Sequence, residues 1–464
     1  MHIPLAQFGT IHDKLTGTTL HAQALASGVY QGSQALARLG CKPGATAAIT
    51  HGGTAAFFVD LLSVWTTGAA AACLDPALTA TERENVLAFC KPCLVLGDDG
   101  IVERKAPNTT SASSTLDDPA LILFTSGTTG APKGVVLSFR AVLARLALNT
   151  YEIGPETLRT TLVTLPTHFG HGLIGNALTP LWAGGDIVLA PRGLPLAQSL
   201  GALIDEHAIT FMSSVPSLWQ MALRMSPKPK LGTLKRVHVG SAPLSATLWS
   251  RIAEWTHCEV VNCYGITETA NWVGGASSKT FAPADGLIGR PWGGTAAVRD
   301  EHGQLHATGS GEIVVQTPSL MSGYLDRPDL TQAVLRDGWY ATGDLGEVDA
   351  HGNIRLTGRA KDEINRAGFK VQPAEIDMLL ERHPAVAEAC VFGLPDAISG
   401  EIVAAAIRLA PHATADGATL RDWCLTQLRR EATPERWYIV DEIPKTSRGK
   451  VSRDAVRKSV TKSP

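Results

Sequence analysis

The stretch Leu121-Ile122-Leu123-Phe124-Thr125-Ser126-Gly127-Thr128-Thr129-Gly130-Ala131-Pro132-Lys133-Gly134 carries the densest chemistry in the chain. Apolar residues run into hydroxyl residues, then glycines, then one lysine. That order describes a buried strand feeding a loop that wraps a polyphosphate. Glycines admit the backbone close to the ligand, N–H groups and hydroxyls donate hydrogen bonds, and the lysine supplies charge. Ser126, Thr128, Thr129 and Lys133 are the side chains available to hold that polyphosphate. The spacing is not that of the common nucleotide loop, which needs Gly, four residues, then Gly-Lys-Ser/Thr. Here Pro132 stands five residues after Gly127, and Gly134 follows Lys133, so a different fold holds the nucleotide.

Four further segments follow in order. They are Tyr264-Gly265-Ile266-Thr267-Glu268-Thr269, Trp339-Tyr340-Ala341-Thr342-Gly343-Asp344-Leu345, Gly358-Arg359-Ala360-Lys361-Asp362 and Pro444-Lys445-Thr446-Ser447-Arg448-Gly449-Lys450. With the first loop they resemble the adenylate-forming superfamily: acyl- and aryl-CoA synthetases, peptide-synthetase adenylation domains and beetle luciferases. One such motif would be weak. Five in sequence are specific, and they extend the resemblance over most of the chain.

The resemblance implies a reaction in two halves. ATP, with Mg²⁺, activates a carboxylic acid to an acyl-adenylate and releases pyrophosphate; a thiol then takes the acyl group. Glu268 is expected to coordinate Mg²⁺, since hard cations take carboxylate oxygen, and Thr267 lies beside it. Tyr264 offers a flat face for adenine, with Gly240-Ser241-Ala242-Pro243 as the opposite wall of small residues. Asp344 has two oxygens for two ribose hydroxyls, and Arg359 supports it. Thr125, Gly127 and Gly130 of the loop, with Asn262 and Gly265, complete the expected nucleotide site. Lys450 takes the catalytic lysine's place, reaching the acid carboxylate and the α-phosphate; Lys445 is its nearest competitor. Lys361 occupies the hinge about which a small C-terminal domain turns between the half-reactions. Gly368 would let a pantetheine arm pass close to backbone. Here Asn365-Arg366-Ala367-Gly368 departs from many CoA ligases, which place two glycines or a lysine nearby. The thiol is therefore that of CoA or of the phosphopantetheine on an acyl carrier protein. A non-catalytic adenylate-binding module is a third reading, against which Lys133, Glu268, Asp344, Arg359 and Lys450 all stand intact.

The elements that must position these residues alternate. Small and apolar residues at helical spacing fill 20–40; Ala45 to Thr50 reads as a strand, Phe57 to Gly68 as a helix and Ala69 to Leu74 as a strand. Alternation argues for a mainly parallel α/β sheet. Gly134 to Leu137 reads as a strand, and Ser138 is placed to cap the helix that follows. Further strands are read at Thr160 to Leu165, Ile187 to Ala190, Val237 to Gly240 and Val260 to Asn262, with a Gly-rich turn and a helix near Leu178 between the first two. The last two lead into motif loops, as ligand loops lie at carboxyl ends of parallel strands. From Leu287 short apolar runs alternate with Gly-rich turns, as in an antiparallel, barrel-like β subdomain. The expected fold is α/β: a large N-terminal domain of layered α/β subdomains plus that small barrel-like part (1–358), then a mobile α+β domain (359–464) that carries Lys450.

Length and composition agree. The 464 residues suffice for roughly three domain-sized units. Hydrophobic residues make up 44%, charged residues 18%, and the net charge is −2, which does not suggest a duplex nucleic-acid partner. No run reaches the ~18 apolar residues of a membrane span, and the first residues do not read as a signal peptide; a cytoplasmic protein is expected. Cys90 and Cys93 form a C-x-x-C without a second pair, and read as flanking a buried strand rather than as a zinc or redox site. The oligomeric state is left open.

The acid pocket is expected around Leu165-Pro166-Thr167-His168-Phe169-Gly170-His171-Gly172. His168, Phe169 and His171 are its candidate gate or wall residues. Gly170, Gly172 and Gly175 suggest space, and Phe169 and Trp272 offer flat walls. The span from Leu165 to Pro180 contains no Asp or Glu to pair with a substrate ammonium. An aryl acid or medium acyl chain is expected, and an α-amino acid is not.

Overall fold

The computed structural model describes residues 5–98, 100–104, 115–125, 133–367, 369–396, 398–446 and 450–461. Two sheets dominate residues before 359. In the smaller, of seven strands, Thr46–Ile49, Ala70–Cys73, Leu94–Gly97 and Pro119–Thr125 run parallel. Their small and branched apolar residues are buried on both faces, as the inner strands of a parallel sheet require. Helix Ala22–Arg38 buries Leu25, Val29, Ser33 and Leu36, one stripe at helical spacing. The phosphate-loop strand does not lead into a helix. Pro119–Thr125 returns antiparallel through Lys133–Ser138, with Thr125 opposite Lys133. Helix Phe139–Ile153 follows, and the Ser138 side chain accepts from the Ala141 N–H as its cap.

The larger sheet has fifteen strands. Thr160–Val163, Asp186–Leu189, Phe211–Ser214, Arg236–Gly240 and the start of Glu259–Ile266 are parallel. Glu259–Ile266 then pairs antiparallel with Asn271–Ser277. A Cβ on Gly265 would lie 2.4 Å from the Asn271 carbonyl oxygen, so only glycine lets this hairpin close around Thr267–Thr269. Beyond Leu287 the strands Leu287–Pro291, Thr295–Arg299, Gly309–Gln316, Trp339–Val348 and Ile354–Arg359 are antiparallel, as the Gly-rich turns imply.

The expected Gly-rich turn and helix near Leu178 form one continuous element. His171–Leu178 is a π-helix that runs into Thr179–Trp182. Such wide turns collect at functional sites.

After residue 359 the texture is α+β. Ile364–Arg366, Phe369–Val371, Val386–Asp396 and Gly400–Leu409 form an antiparallel sheet, with Arg436–Ile439 added in parallel. Ile364, Ile376, Val391, Val403, Ile407 and Leu420 fill its own core. Arg382 pairs with Asp285, tying this part to the larger sheet's side. Among the described residues no helix is long and apolar enough to cross a membrane.

Candidate active site

At the phosphate end, Thr125 closes one strand and Lys133 opens the next, so the hairpin itself sets them side by side. Ser126, Gly127, Thr128, Thr129 and Gly130 lie outside the described residues, as does Gly368. The Lys133 Nζ stands 5.6 Å from the centre of the Tyr324 ring. Tyr324 donates its hydroxyl to Glu268 Oε1 at 2.8 Å. Burial and the Glu268 charge push that hydroxyl above its ordinary pKa, which keeps it a donor. Glu268 sits in the single turn Thr267–Thr269, whose Glu268 carbonyl accepts from Met321 N–H at 2.8 Å. The Tyr324 bond engages one of the two Glu268 carboxylate oxygens. An anionic oxygen held so, near a phosphate-loop lysine, fits a hard divalent cation.

Asp344 and Arg359 are cross-strand partners. The Arg359 Nε meets Asp344 Oδ1 at 2.7 Å, and the Tyr264 hydroxyl donates to Asp344 Oδ2. Asp344 is only 3% exposed. Tyr264 is thus fixed at its tip by the residue expected to hold ribose, while burial and then Asp344 raise its pKa. Gly240 ends strand Arg236–Gly240; Ser241 holds a φ of 66°, and Ala242 and Pro243 continue the turn. Asn262 is buried and donates its amide to the Leu287 carbonyl at 2.8 Å, a structural tie inside the expected nucleotide site. Lys361 is exposed in the single turn Ala360–Asp362.

His171 is the centre of the third cluster. Its Nδ1 lies 2.7 Å from Ser241 Oγ and its Nε2 2.6 Å from Ser213 Oγ. Burial, and next the charge of Lys450, push its pKa down to about 3. It is therefore a neutral imidazole, donating to one hydroxyl and accepting from the other. The same effect puts Lys450 within electrostatic reach of His171, although the two are far apart in sequence. Lys445 is instead held by Glu388 at 2.8 Å. His168 faces Asp75, 3.3 Å away, while Phe169 packs into the core of the larger sheet. Two of the three glycines do not leave room, while a Cβ on Gly170 would meet only Leu123, at 3.8 Å. A Cβ on Gly172 would collide with the Pro166 carbonyl, and at Gly175 the space is taken by Asn271 and Trp272. Tyr324, Ser213 and Asp75 were not legible as site residues, because lone Tyr, Ser and Asp residues outside any motif carry no sequence signal.

The sequence pattern of the AMP-binding enzyme family matches residues 98–325, and that of the AMP-binding enzyme C-terminal domain matches residues 375–450, ending on Lys450. A probable CoA ligase, CCL9, of Humulus lupulus is 30% identical over 97% of this chain and 91% of its own length. The chain belongs to the AMP-binding enzyme family. This AMP-binding enzyme is also 36% identical to a sulfoacetate–CoA ligase of Cupriavidus necator, over 78% of this chain and 72% of that protein. Its fold is that of ATP-bound MatB from Rhodopseudomonas palustris, with a TM-score of 0.86 at 26% identity over 98% of this chain and 96% of that one. Both stretches that pattern the family contain residues of the site: Lys133, Glu268 and Tyr324 in the first, Lys450 in the second.

Proposed function

We propose that this AMP-forming acid–thiol ligase uses ATP and Mg²⁺ to turn a carboxylic acid into an acyl-adenylate, and then passes the acyl group to CoA. A carboxylate oxygen attacks the α-phosphorus, the α–β phosphoanhydride bond breaks, and pyrophosphate leaves. The thiol sulfur next attacks the acyl carbon, AMP leaves, and the thiol proton goes to solvent. The observation that carries the reading is the linked set of Lys133, Tyr324 and Glu268 at the phosphate end, with Lys450 near enough to His171 for its charge to be felt there. A lysine there can offset negative charge where acid and α-phosphate meet. Glu268 would hold Mg²⁺, which would neutralise triphosphate charge. Asp344 and Arg359 would orient the ribose, and Tyr264 the base. CoA is favoured as acceptor because the relatives named above are CoA ligases. Loading of an acyl carrier protein is the alternative.

The boundary between the two domains is placed at 358/359, with Lys361 as the turning point. Support comes from the single exposed turn Ala360–Asp362 between two sheets that each have a core of their own. The test is to supply ATP, Mg²⁺ and a panel of acids, with CoA or holo-carrier protein, and to follow AMP, pyrophosphate and thioester. Carrier-protein thioester without CoA thioester would select the alternative. ATP binding without AMP from any acid would leave only a non-catalytic module.

A further inference from the structure

Below the segment His171–Leu178 lies a group of buried polar atoms that the reaction as derived does not use. His238 is fully buried, and neither ring nitrogen has a hydrogen-bond partner among the described residues. The Nδ2 of Asn271 and the Nε1 of Trp272 are likewise buried and unpartnered. They share one locality. The Trp272 ring centre is 4.6 Å from that of His238 and 5.5 Å from that of His171. Asn271 and Trp272 both press on Gly175, where a Cβ would stand 2.0 Å from the amide nitrogen and 2.9 Å from the indole. Asn271 takes a φ of 140° to reach this place, a backbone conformation that side-chain-bearing residues avoid. Buried polar atoms without partners are costly and call for a ligand or water to meet them. This locality adjoins the reaction centre through His171, which touches Trp272 and feels Lys450.

Resting on the ligase reading above, we propose that these atoms recognise the acid. Its substrate is a short carboxylic acid with a second oxygen-bearing group, which accepts hydrogen bonds from Asn271 and Trp272. The chemistry follows from the donors. An indole N–H and an amide NH₂ only donate, and a neutral His238 adds one more N–H. A substrate ammonium would find no carboxylate in that set, only the neutral Asn271 amide oxygen and one imidazole nitrogen. A wholly apolar tail would leave the donors unpaired, and sites built to bond a polar group reject analogues that lack it. A short acid is the one that fits, because Phe211 at 4.9 Å and Trp292 at 5.5 Å, centre to centre, already pack against His238.

The test uses the full-length protein and acid-dependent AMP formation with three probes of similar size: 4-oxopentanoate, succinate and pentanoate. At least one oxygen-bearing acid should exceed pentanoate in kcat/KM by roughly ten- to a hundredfold. The keto and carboxylate arms then tell a neutral from an anionic second group. Trp272→Phe should cut that ratio about tenfold. Thermal melting checks that the variant folds, and Asn271→Ser reads the same ratio if it does not. Pentanoate matching or beating both oxygen-bearing acids would overturn the inference and leave these atoms to internal water. So would a ratio unmoved by the folded variants. AMP from no acid at all would instead remove the ligase reading, and the inference with it.

Discussion

Replacing Lys450 with alanine should separate the two half-reactions. Lys450 is held by the neighbouring Lys445–Val451 bridge and by Thr446 N–H to the Lys450 carbonyl at 2.7 Å. Its charge reaches His171, whose own ring is neutral and held on both sides by serine hydroxyls. Neither that imidazole nor the two serines carries a positive charge, so they cannot take over the role of Lys450. Removing one preorganised donor from the place where charge develops costs about 10²–10³ in rate. Acid-dependent pyrophosphate release should fall by at least that much. Thiolysis of a synthetic acyl-adenylate should change far less, because no triphosphate charge remains to be offset. Lys445→Ala should stay within a few-fold of the parent in both, since Lys445 is occupied by Glu388. Equal losses in the two half-reactions of Lys450→Ala would refute the reasoning, as would an effect of Lys445→Ala equal to that of Lys450→Ala.

Glu268→Gln should shift the Mg²⁺ midpoint of adenylation upward, because a neutral amide replaces an anionic ligand; an unchanged midpoint and maximal rate would remove Glu268 from the metal. Lys361→Pro should let adenylate form but slow its transfer to thiol, since proline fixes φ at the turning point; normal transfer would place the hinge elsewhere. The pH dependence of stability has a definite sign. His171 is held near pKa 3 and His238 is pushed well below its ordinary value by burial, so the unfolded chain binds protons that the folded one refuses. Stability should therefore fall as the pH drops below about 6.5, by up to ~1.4 kcal/mol per pH unit for each ring. His238→Phe should flatten the decline of the urea midpoint between pH 6.5 and 5, and curves that stay parallel would contradict the assignment.

Local chemistry was readable from the chain, and long-range company was not. The strand ends Thr125 and Lys133 and the cap Ser138 follow from residue order alone, and they stand where that order puts them. The pairing of Asp344 with Arg359 follows once the two motif strands align. Tyr324 was invisible, because only the tertiary fold sets its hydroxyl on Glu268. Gly172 and Gly175 of the acid-pocket motif do not mark space, whereas Gly170 does have room for a Cβ. A glycine in a sequence reports a missing side chain, not what fills the gap, and here the Pro166 carbonyl fills it at Gly172 and Asn271 and Trp272 at Gly175. Trp272 was read as a flat wall, yet its ring stacks edge-on among His171, His238 and Trp292, and its N–H is left without a partner. A helix near Leu178 is legible, but its start at His171 and its π geometry are not, since residues 171–178 carry neither a cap nor a clean helical stripe.

The most direct test of the central claim is the nucleotide product made with ATP, Mg²⁺, CoA and an acid panel. The account predicts AMP and pyrophosphate in equal amounts, dependent on the acid, with a matching amount of acyl-CoA. ADP with inorganic phosphate, or AMP release that does not depend on any acid, would contradict it.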